Sequence, residues 1–263
     1  MSTPDPQSWS GEPAEFDDYA AEYQGGLDNP IKRMLGSSPD QFIAVKARWL
    51  LRREPGLRSG GLSILDYGCG VGSLMRVLIG HGAKGSFTGC DISTGMLRQV
   101  ERRWPRELGA PPALAPQQGA STPFADGQFD VAMISAVLHH VPIEDRPAVY
   151  AELGRVLKPG GRLYVFEHNP RNPLVRHVIA NTPIDRNAIL LDANEVRHGL
   201  LDAARYELDT DYLMFMPPGI AFLRGVDRLL TWLPMGAQYA VAARKAASGG
   251  MDGSPGFRDR TEA

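Results

Sequence analysis

A short apolar segment runs directly into a glycine-rich turn, and this junction constrains the fold more than any other feature of the sequence. Leu62–Leu65 is followed by Asp66 and then by Gly68, Gly70 and Gly72, after which an amphipathic stretch begins. Glycines are needed where the backbone turns sharply or comes within van der Waals distance of a ligand. The pattern therefore predicts a buried strand, a tight turn and a helix, which together open an α/β sheet.

Strand-like and helix-like segments alternate along the chain in the manner of βαβ units. Apolar runs predict strands at Leu62–Leu65, Phe87–Asp91, Leu114–Gln118, Phe129–Ser135, Arg162–His168, Tyr206–Phe215 and Gln238–Ala243. Amphipathic periodicity predicts helices at Ser73–Ile79, Thr94–Arg103, Asp145–Leu157, Ala193–Ala204 and near Ile220–Leu233. We expect an α/β fold with a doubly wound, mostly parallel seven-stranded sheet and helices on both faces.

The segments outside this alternation divide the chain further. Residues 1–15 are rich in Pro, Ser and acidic residues and are expected to be flexible, whereas helical spacing of apolar residues predicts a helical cap over 16–55. We place the core at 56–246, with an irregular insertion at 169–191, and a flexible tail at 247–263.

Composition excludes several classes of protein. The 263 residues contain 28 Lys and Arg against 30 Asp and Glu, a net charge of −2. The chain therefore lacks the excess of positive charge that is typical of proteins that bind a nucleic-acid backbone. Cys69 and Cys90 are too few for a disulfide framework. No signal-peptide pattern or long apolar run is present, so the sequence predicts a cytoplasmic protein without membrane insertion or nucleic-acid partner.

Two acidic residues flank the glycine turn and indicate what it binds. Asp91 ends the strand after the turn, at the spacing where doubly wound folds place an acid against a ribose diol. A dinucleotide-binding protein, such as an NAD oxidoreductase, is an alternative, but its third glycine would stand where this chain has Ser73. Asp66, directly before the turn, favours a ligand that bears positive charge rather than a pyrophosphate.

Five ordered motifs between residues 60 and 168 resemble those of class I S-adenosylmethionine-dependent methyltransferases. They are Leu65-Asp66-Tyr67-Gly68-Cys69-Gly70-Val71-Gly72, Gly89-Cys90-Asp91-Ile92-Ser93, Pro123-Phe124-Ala125-Asp126-Gly127-Gln128-Phe129-Asp130, Val137-Leu138-His139-His140-Val141 and Arg155-Val156-Leu157-Lys158-Pro159-Gly160-Gly161. The segment from Phe16 to Tyr23 also resembles the cap helix of members that methylate small molecules. The resemblance implies a Rossmann-like core.

The resemblance assigns cofactor roles to individual residues of this chain. It implies that Gly68 and Gly70 approach the amino-acid moiety of S-adenosylmethionine, that Asp66 lies near its ammonium group and that Asp91 holds the ribose hydroxyls. Further cofactor contacts that it implies are Ile92 and Gln118 at adenine, Tyr23 at the carboxylate, and Ser135 at the end of the fourth strand. Where the family usually has an acid for the adenine amino group, this chain offers only the amide of Gln118.

Two pairs of residues are candidates for the chemistry of methyl transfer. In the sheet order of the family, His139 and His140 follow one strand and Glu167 and His168 end its neighbour, so all four are expected to converge on the acceptor side. A neutral imidazole can take the proton of a hydroxyl acceptor, with Glu167 orienting it or contacting the acceptor itself. A structural role for the histidine pair is the alternative.

We do not expect a metal site, because consecutive histidines seldom point to the same place and the spacing fits no standard ligand pattern. The resulting hypothesis is a monomeric or homodimeric enzyme that methylates a small-molecule acceptor on oxygen. Methylation of nitrogen or carbon is an alternative, and so is a regulator that binds S-adenosylmethionine without turnover.

Overall fold

Seven strands form a single sheet in the part of the chain that the structure describes. The computed structural model describes residues 39–185, 187–215, 227 and 229–247. The strands are β1 (Ser63–Tyr67), β2 (Ser86–Asp91), β3 (Ala113–Pro116), β4 (Phe129–Ser135), β5 (Leu157–His168), β6 (Tyr206–Leu213) and β7 (Gln238–Lys245). Their order is β3-β2-β1-β4-β5-β7-β6. β1 to β5 are parallel and β7 is antiparallel to both of its neighbours, which confirms the mostly parallel Rossmann-like sheet.

Helices cover both faces of the sheet, as predicted. They are α1 (Pro39–Arg53), α2 (Gly56–Ser59), α3 (Ser73–Gly80), α4 (Thr94–Arg103), α5 (Arg146–Val156), α6 (Pro173–Ala180) and α7 (Ala193–Ala203). Buried residues of α1, α3 and α4 pack in one apolar cluster, and those of α5 and α7 pack in another. None of the helices in the described ranges is long and apolar enough to cross a membrane.

The central strands are buried on both faces because their apolar residues run without interruption. Val131 and Met133 of β4 belong to one cluster, whereas Ala132 and Ile134 belong to the other. Successive side chains of a strand point to opposite faces, so an unbroken apolar run supplies two cores at once.

Strand order reverses between β1 and β4, and this reversal determines where a ligand can bind. β1 is followed by β2 on one side, while the later strands β4 and β5 lie on the other. The connections therefore leave in opposite directions and open a crevice at the carboxyl ends of these strands. Tyr67, Asp91, Ser135 and His168 are the last residues of β1, β2, β4 and β5 and lie around this crevice.

Residues 169–191 are more regular than the sequence indicated. The expectation of an irregular insertion was wrong for Pro173–Ala180, which form α6. The Asn172 side chain accepts from the amides of Leu174 and Val175, and Pro173 occupies the first helical position. An asparagine cap followed by proline is a helix start signal that the surrounding Asn-Pro repeats concealed.

Other sequence-based predictions fall outside the described residues. These are the flexible residues 1–15, the cap over 16–38 with Tyr23, most of the helix near Ile220–Leu233 and the tail at 248–263. In the described part of that predicted helix, residues 227 and 229 are helical, whereas residues 230–233 form turns and bends. The domain boundaries stay predictions.

The described part of the predicted cap, α1, is anchored on the sheet by Trp49. Its ring contacts Tyr164 and Phe166 of β5 edge to face, with centroid distances of 5.9 and 5.5 Å. Its indole nitrogen donates to Asp211 of β6 at 2.8 Å. Edge-to-face contacts between aromatic rings stabilise the fold beyond the effect of the area that they remove from water. This residue therefore fixes α1 above the carboxyl ends of the strands.

Replacing Trp49 should therefore weaken the fold. We expect Trp49→Ala to lower the free energy of unfolding by about 3–5 kcal/mol, because a large cavity forms and Asp211 loses a donor. Arg98→Ala, at an exposed position of α4, should stay within about 0.5 kcal/mol of the wild type. Urea unfolding followed by circular dichroism measures both, and equal effects of the two substitutions would contradict this role for Trp49.

Candidate functional site

A cavity of about 740 Å³ opens at the carboxyl ends of the parallel strands. This is within the usual size range of small-molecule sites. One end contains the glycine turn after β1, and the other contains the two histidines after β4 and the end of β5. Its walls are mostly apolar and include Phe42, Ile43, Leu74, Met96, Val175, Ile179 and Met214.

The turn after β1 has a backbone that glycine adopts readily. Gly68, Gly70 and Gly72 have φ values of +66°, +52° and +72°, in the left-handed region. A Cβ atom on Gly68 would come within 2.6 Å of a methyl carbon of Val137. The glycine at position 68 therefore keeps the turn close to the segment that follows β4, and both line the cavity.

Asp91, at the end of β2, is tied to the glycine turn. One carboxylate oxygen accepts from the Gly70 amide at 2.7 Å, and the other accepts from the Ser93 amide at 2.9 Å. The side chain lines the cavity, and an ionised carboxylate accepts hydrogen bonds from hydroxyl groups. Asp91 thus lies where the sequence predicted a ribose contact.

Asp66 is a buried acid with an unsatisfied oxygen. Its Oδ2 has no hydrogen-bond partner among the described residues, although the side chain lines the cavity. Burial, together with the nearby charge of Asp91, raises the pKa of Asp66 to about 8, and Lys46 partly opposes this shift. A cationic group in the cavity would reverse the shift, because an adjacent positive charge favours the ionised carboxylate.

The remaining predicted cofactor residues occupy different positions around the cavity. Ile92 lines it and is 40% exposed. Gln118 is exposed and is not among the lining residues, whereas the adjacent Gln117 is buried and lines the cavity with an unpartnered Oε1. Gln117 is therefore the amide that faces the cavity, and β3 ends before either glutamine.

Ser135 also lines the cavity, and a lysine from the cap reaches it. Lys46 of α1 donates to the Ser135 hydroxyl at 2.9 Å, and its ammonium lies 6.0 Å from the centre of the Phe166 ring. Lys46 could not be selected from the sequence, because a lysine in an amphipathic helix ordinarily faces solvent. In the structure it is buried and lines the cavity.

Glu167 is a fully buried anchor between β5 and the segment after β4. Its Oε1 accepts from the amides of Val137 at 3.0 Å and Leu138 at 2.8 Å, and its Oε2 lies 2.5 Å from Nδ1 of His139. Ala136, just before these amides, adopts a φ of +59°, which is rare for a residue with a side chain. Glu167 does not line the cavity, so it can orient an imidazole but not touch a ligand.

The two consecutive histidines lie side by side instead of diverging. They belong to one tight turn (Leu138–His140), and their ring centroids are 4.2 Å apart. Asp185, from the turn after α6, approaches both: its Oδ1 lies 3.6 Å from Nε2 of His139 and 3.4 Å from Nε2 of His140. The His168 ring is 5.2 Å from that of His139.

The titratable groups of this cluster shift one another's pKa values. Burial alone would lower the pKa of His139, but Glu167 and Asp185 on its two sides raise it to about 9. The same contacts overcome the effect of burial on the acids, lowering the pKa of Glu167 to about 2 and that of Asp185 well below its usual range. Burial and the charges of His139 and Lys46 lower the pKa of His168 to about 3.

Of the predicted catalytic residues, His139, His140 and His168 line the cavity together, and Glu167 lies behind His139. Asp185 was missed because it follows α6 in the segment interpreted as irregular, where no motif distinguishes an acid. Its position is fixed by distant contacts, since the Ile189 amide donates to the His139 carbonyl at 2.7 Å and Arg146 donates to the Ile189 carbonyl at 2.6 Å.

The comparisons with known proteins agree with this geometry. Residues 65–165 match the family model described as "Methyltransferase domain". Structures of S-adenosylmethionine-dependent methyltransferases share the fold: one from Thermotoga maritima has a TM-score of 0.61 at 18% identity, over 88% of this chain and 98% of that one. Another, from Methanosarcina mazei, has a TM-score of 0.51 at 26% identity, over 71% and 93%.

Residues 65–165 thus match a methyltransferase domain, and the chain has the fold of S-adenosylmethionine-dependent methyltransferases. Sequence relatives include a 2-phytyl-1,4-naphtoquinone methyltransferase of Synechococcus elongatus, 38% identical over 44% of this chain and 50% of the relative. A demethylmenaquinone methyltransferase of Parafrankia sp. is 37% identical over 59% of this chain and 61% of the relative. The chain thus spans about half to three fifths of these relatives.

The methyltransferase domain should gain stability when the unsatisfied acid is removed. Because the pKa of Asp66 is about 8 in the folded chain and near 4 when unfolded, the folded state binds more protons between pH 4 and 8. The free energy of unfolding therefore falls as pH rises through this window. Asp66→Asn should abolish that contribution and raise the free energy of unfolding at pH 7.5 by about 1–3 kcal/mol.

Urea unfolding of the cofactor-free chain at several pH values measures this effect. Asp202→Asn, at an exposed position of α7, is the matched control and should leave the pH dependence unchanged. A wild-type pH dependence in Asp66→Asn would contradict the burial of an unsatisfied acid.

Proposed function

We propose that this chain transfers the methyl group of S-adenosylmethionine to a small-molecule acceptor with an ionisable hydroxyl. The observation that carries the proposal is that one cavity joins the acid-flanked glycine turn to an imidazole–carboxylate cluster. The first end suits a cationic nucleoside, and the second suits an acceptor that must lose a proton. Members of both predicted groups of site residues line this one cavity, which supports the proposal.

The residues at the first end fit the cofactor. Oδ2 of Asp66, which has no hydrogen-bond partner in the described ranges, is suited to its ammonium group, and the buried carboxylate of Asp91, which lines the cavity, is suited to its ribose hydroxyls. Gln117, in place of Gln118, offers an unpartnered amide oxygen to the adenine amino group, and Ile92 offers an apolar surface. The left-handed turn at Gly68 and Gly70 leaves room for the ligand to approach the backbone.

Methyl transfer needs alignment more than activation. S-adenosylmethionine, when bound, would supply a methyl group on a positively charged sulfur, and that sulfur would keep the electron pair of the broken bond as the acceptor oxygen takes the methyl group. The leaving group is already activated by its positive charge, so the cavity contributes mainly by holding donor and acceptor in line and excluding water. Its largely apolar walls are suited to both tasks.

The proton of the acceptor passes to the cluster at the second end. His139, His140 and Asp185 present nitrogen and oxygen atoms there, and His168 lies beside them. Glu167 acts as a positioning residue, because its carboxylate fixes the His139 ring and does not reach the cavity. Transfer to oxygen follows directly from deprotonation of a hydroxyl.

Transfer to carbon is a second candidate, favoured by one observation. The matched relatives are named as quinone methyltransferases, and a Gibberella zeae relative that is 31% identical over 197 residues is named as a sterol 24-C-methyltransferase. An ionised phenol or enol carries negative charge on carbon as well as on oxygen, so the same cluster serves both outcomes.

The test is transfer of isotopically labelled methyl from S-adenosylmethionine to a panel of phenols, enols and amines. We expect labelled product from at least one hydroxyl compound, and carbon-13 NMR of that product distinguishes an oxygen-bound from a carbon-bound methyl group. Product from amines alone would favour nitrogen as the acceptor. Binding of the cofactor without transfer to any acceptor would favour a non-catalytic regulator.

Replacing Asp91 should weaken cofactor binding. We expect Asp91→Asn to raise the dissociation constant for S-adenosylhomocysteine at least tenfold, about 1.4 kcal/mol, because ionised acceptors bind hydroxyls more strongly than amides do. Asp202→Asn should bind as the wild type does. Isothermal titration calorimetry measures both, and unchanged affinity in Asp91→Asn would remove the ribose assignment.

Replacing Glu167 should affect turnover and spare the cofactor. In Glu167→Gln the Nδ1 atom of His139 faces an amide donor in place of a carboxylate, so the ring loses its orientation and tautomer. We expect kcat to fall about 100-fold or more, with cofactor affinity within about twofold of wild type. Glu101→Gln, exposed on α4, is the control. Wild-type turnover in Glu167→Gln would contradict the proposed role of the cluster.

A further inference from the structure

The cluster of His139, His140 and Asp185 has the composition of a metal site. Two imidazole nitrogens and one carboxylate oxygen all lie within 4.8 Å of one another. Two histidines and one carboxylate form a donor set that binds divalent transition metals and leaves coordination positions open. We propose that these three side chains bind a divalent transition-metal ion at the acceptor end of the cavity.

The distances between the donor atoms fit a common ion. Asp185 Oδ1 lies 3.6 Å from Nε2 of His139 and 3.4 Å from Nε2 of His140. Ligands about 2.0–2.1 Å from a tetrahedral zinc ion are about 3.4 Å from each other. Both distances from Asp185 are close to the edge of such a coordination tetrahedron.

His139 is held as a metal ligand usually is. Its Nδ1 lies 2.5 Å from Glu167, which is itself fixed by the amides of Val137 and Leu138. Metal-bound histidines almost always donate their other ring nitrogen to a carboxylate or carbonyl in this manner. Nε2 of His139 is buried and has no hydrogen-bond partner among the described residues, and it points toward Asp185.

The backbone around the cluster holds the third ligand in place. The Ile189 amide donates to the His139 carbonyl, and Arg146 bridges the carbonyls of Val141 and Ile189. These bonds connect the turn that contains the histidines to the segment that contains Asp185. The site is therefore assembled before any ion arrives, which lowers the cost of binding.

The charge of the cluster suits a cation. Glu167 and Asp185 place two carboxylates on either side of His139 in a region that is almost closed to solvent. All three proposed ligands line the cavity, so the positions that the protein leaves open face the acceptor. With the ion bound, the two imidazoles would no longer accept the proton; the ion would instead favour ionisation of the acceptor hydroxyl, whose proton would leave to water. This role for the ion rests on the proposed function, whereas its binding does not.

Metal titration of the full, tag-free chain, stripped with a chelator, tests the proposal. Calorimetry with Zn²⁺ and visible absorption with Co²⁺ should each report one equivalent bound. His140→Ala and Asp185→Asn should each weaken binding at least tenfold. His177→Ala, an exposed histidine on α6, is the matched control and should bind as the wild type does.

A further substitution separates a metal site from a structural cluster. Glu167→Gln keeps the size of the side chain but presents a donor to Nδ1 of His139, so Nε2 becomes protonated. We expect it to weaken Zn²⁺ binding about 10–100-fold, the usual effect of losing such a partner. Calorimetry with S-adenosylhomocysteine on the same samples shows whether each variant is folded and reports separately on the proposed function.

Absence of bound metal in the wild type would overturn the proposal, as would equal Zn²⁺ affinity in His140→Ala, Asp185→Asn and the wild type. Loss of binding in His177→Ala to the same degree would also overturn it, since the ion would then be held by scattered histidines. Cofactor binding without metal binding would leave the proposed function standing and remove this inference.

Discussion

The carboxylate of Glu167 is the interaction on which the site depends. It accepts from two backbone amides after β4 and contacts the ring of His139, so it joins the ends of two neighbouring strands through one buried side chain. Hydrogen bonds to an ionised group in a region closed to water are strong, and leaving any of these donors unpaired is costly. The position of the histidine turn, and through it the shape of the acceptor end of the cavity, follows from this contact.

Two buried acids show how partners decide what a carboxyl group can do. Glu167 and Asp66 are both almost fully buried, yet contacts lower the pKa of the first to about 2, while burial raises that of the second to about 8. Glu167 is satisfied by the protein and orients a neighbour. Asp66 keeps an oxygen without a partner in the described chain, which costs stability and leaves an acceptor for a ligand.

The sequence predicted elements whose signals are local. Thr94–Arg103 and Phe129–Ser135 were predicted with the bounds that the structure has, because Ser93 caps the helix and the strand is an unbroken apolar run. Helix α6 was missed since its cap lies among repeated Asn-Pro pairs. Gln117 could not be selected over Gln118, because the backbone after β3 decides which of the two adjacent side chains faces the cavity. Asp185 could not be selected either, because it approaches the histidines through contacts between segments that are far apart in the chain.

We propose that one cavity holds the cofactor at the glycine turn and the acceptor at the histidine–carboxylate cluster. A crystal structure of the chain with S-adenosylhomocysteine would decide this. We expect ribose hydroxyls on Asp91, the amino group near Asp66 and a sulfur atom that faces the side of the cavity lined by His139 and His140. A ligand bound with its sulfur directed away from those histidines, or outside this cavity, would contradict it.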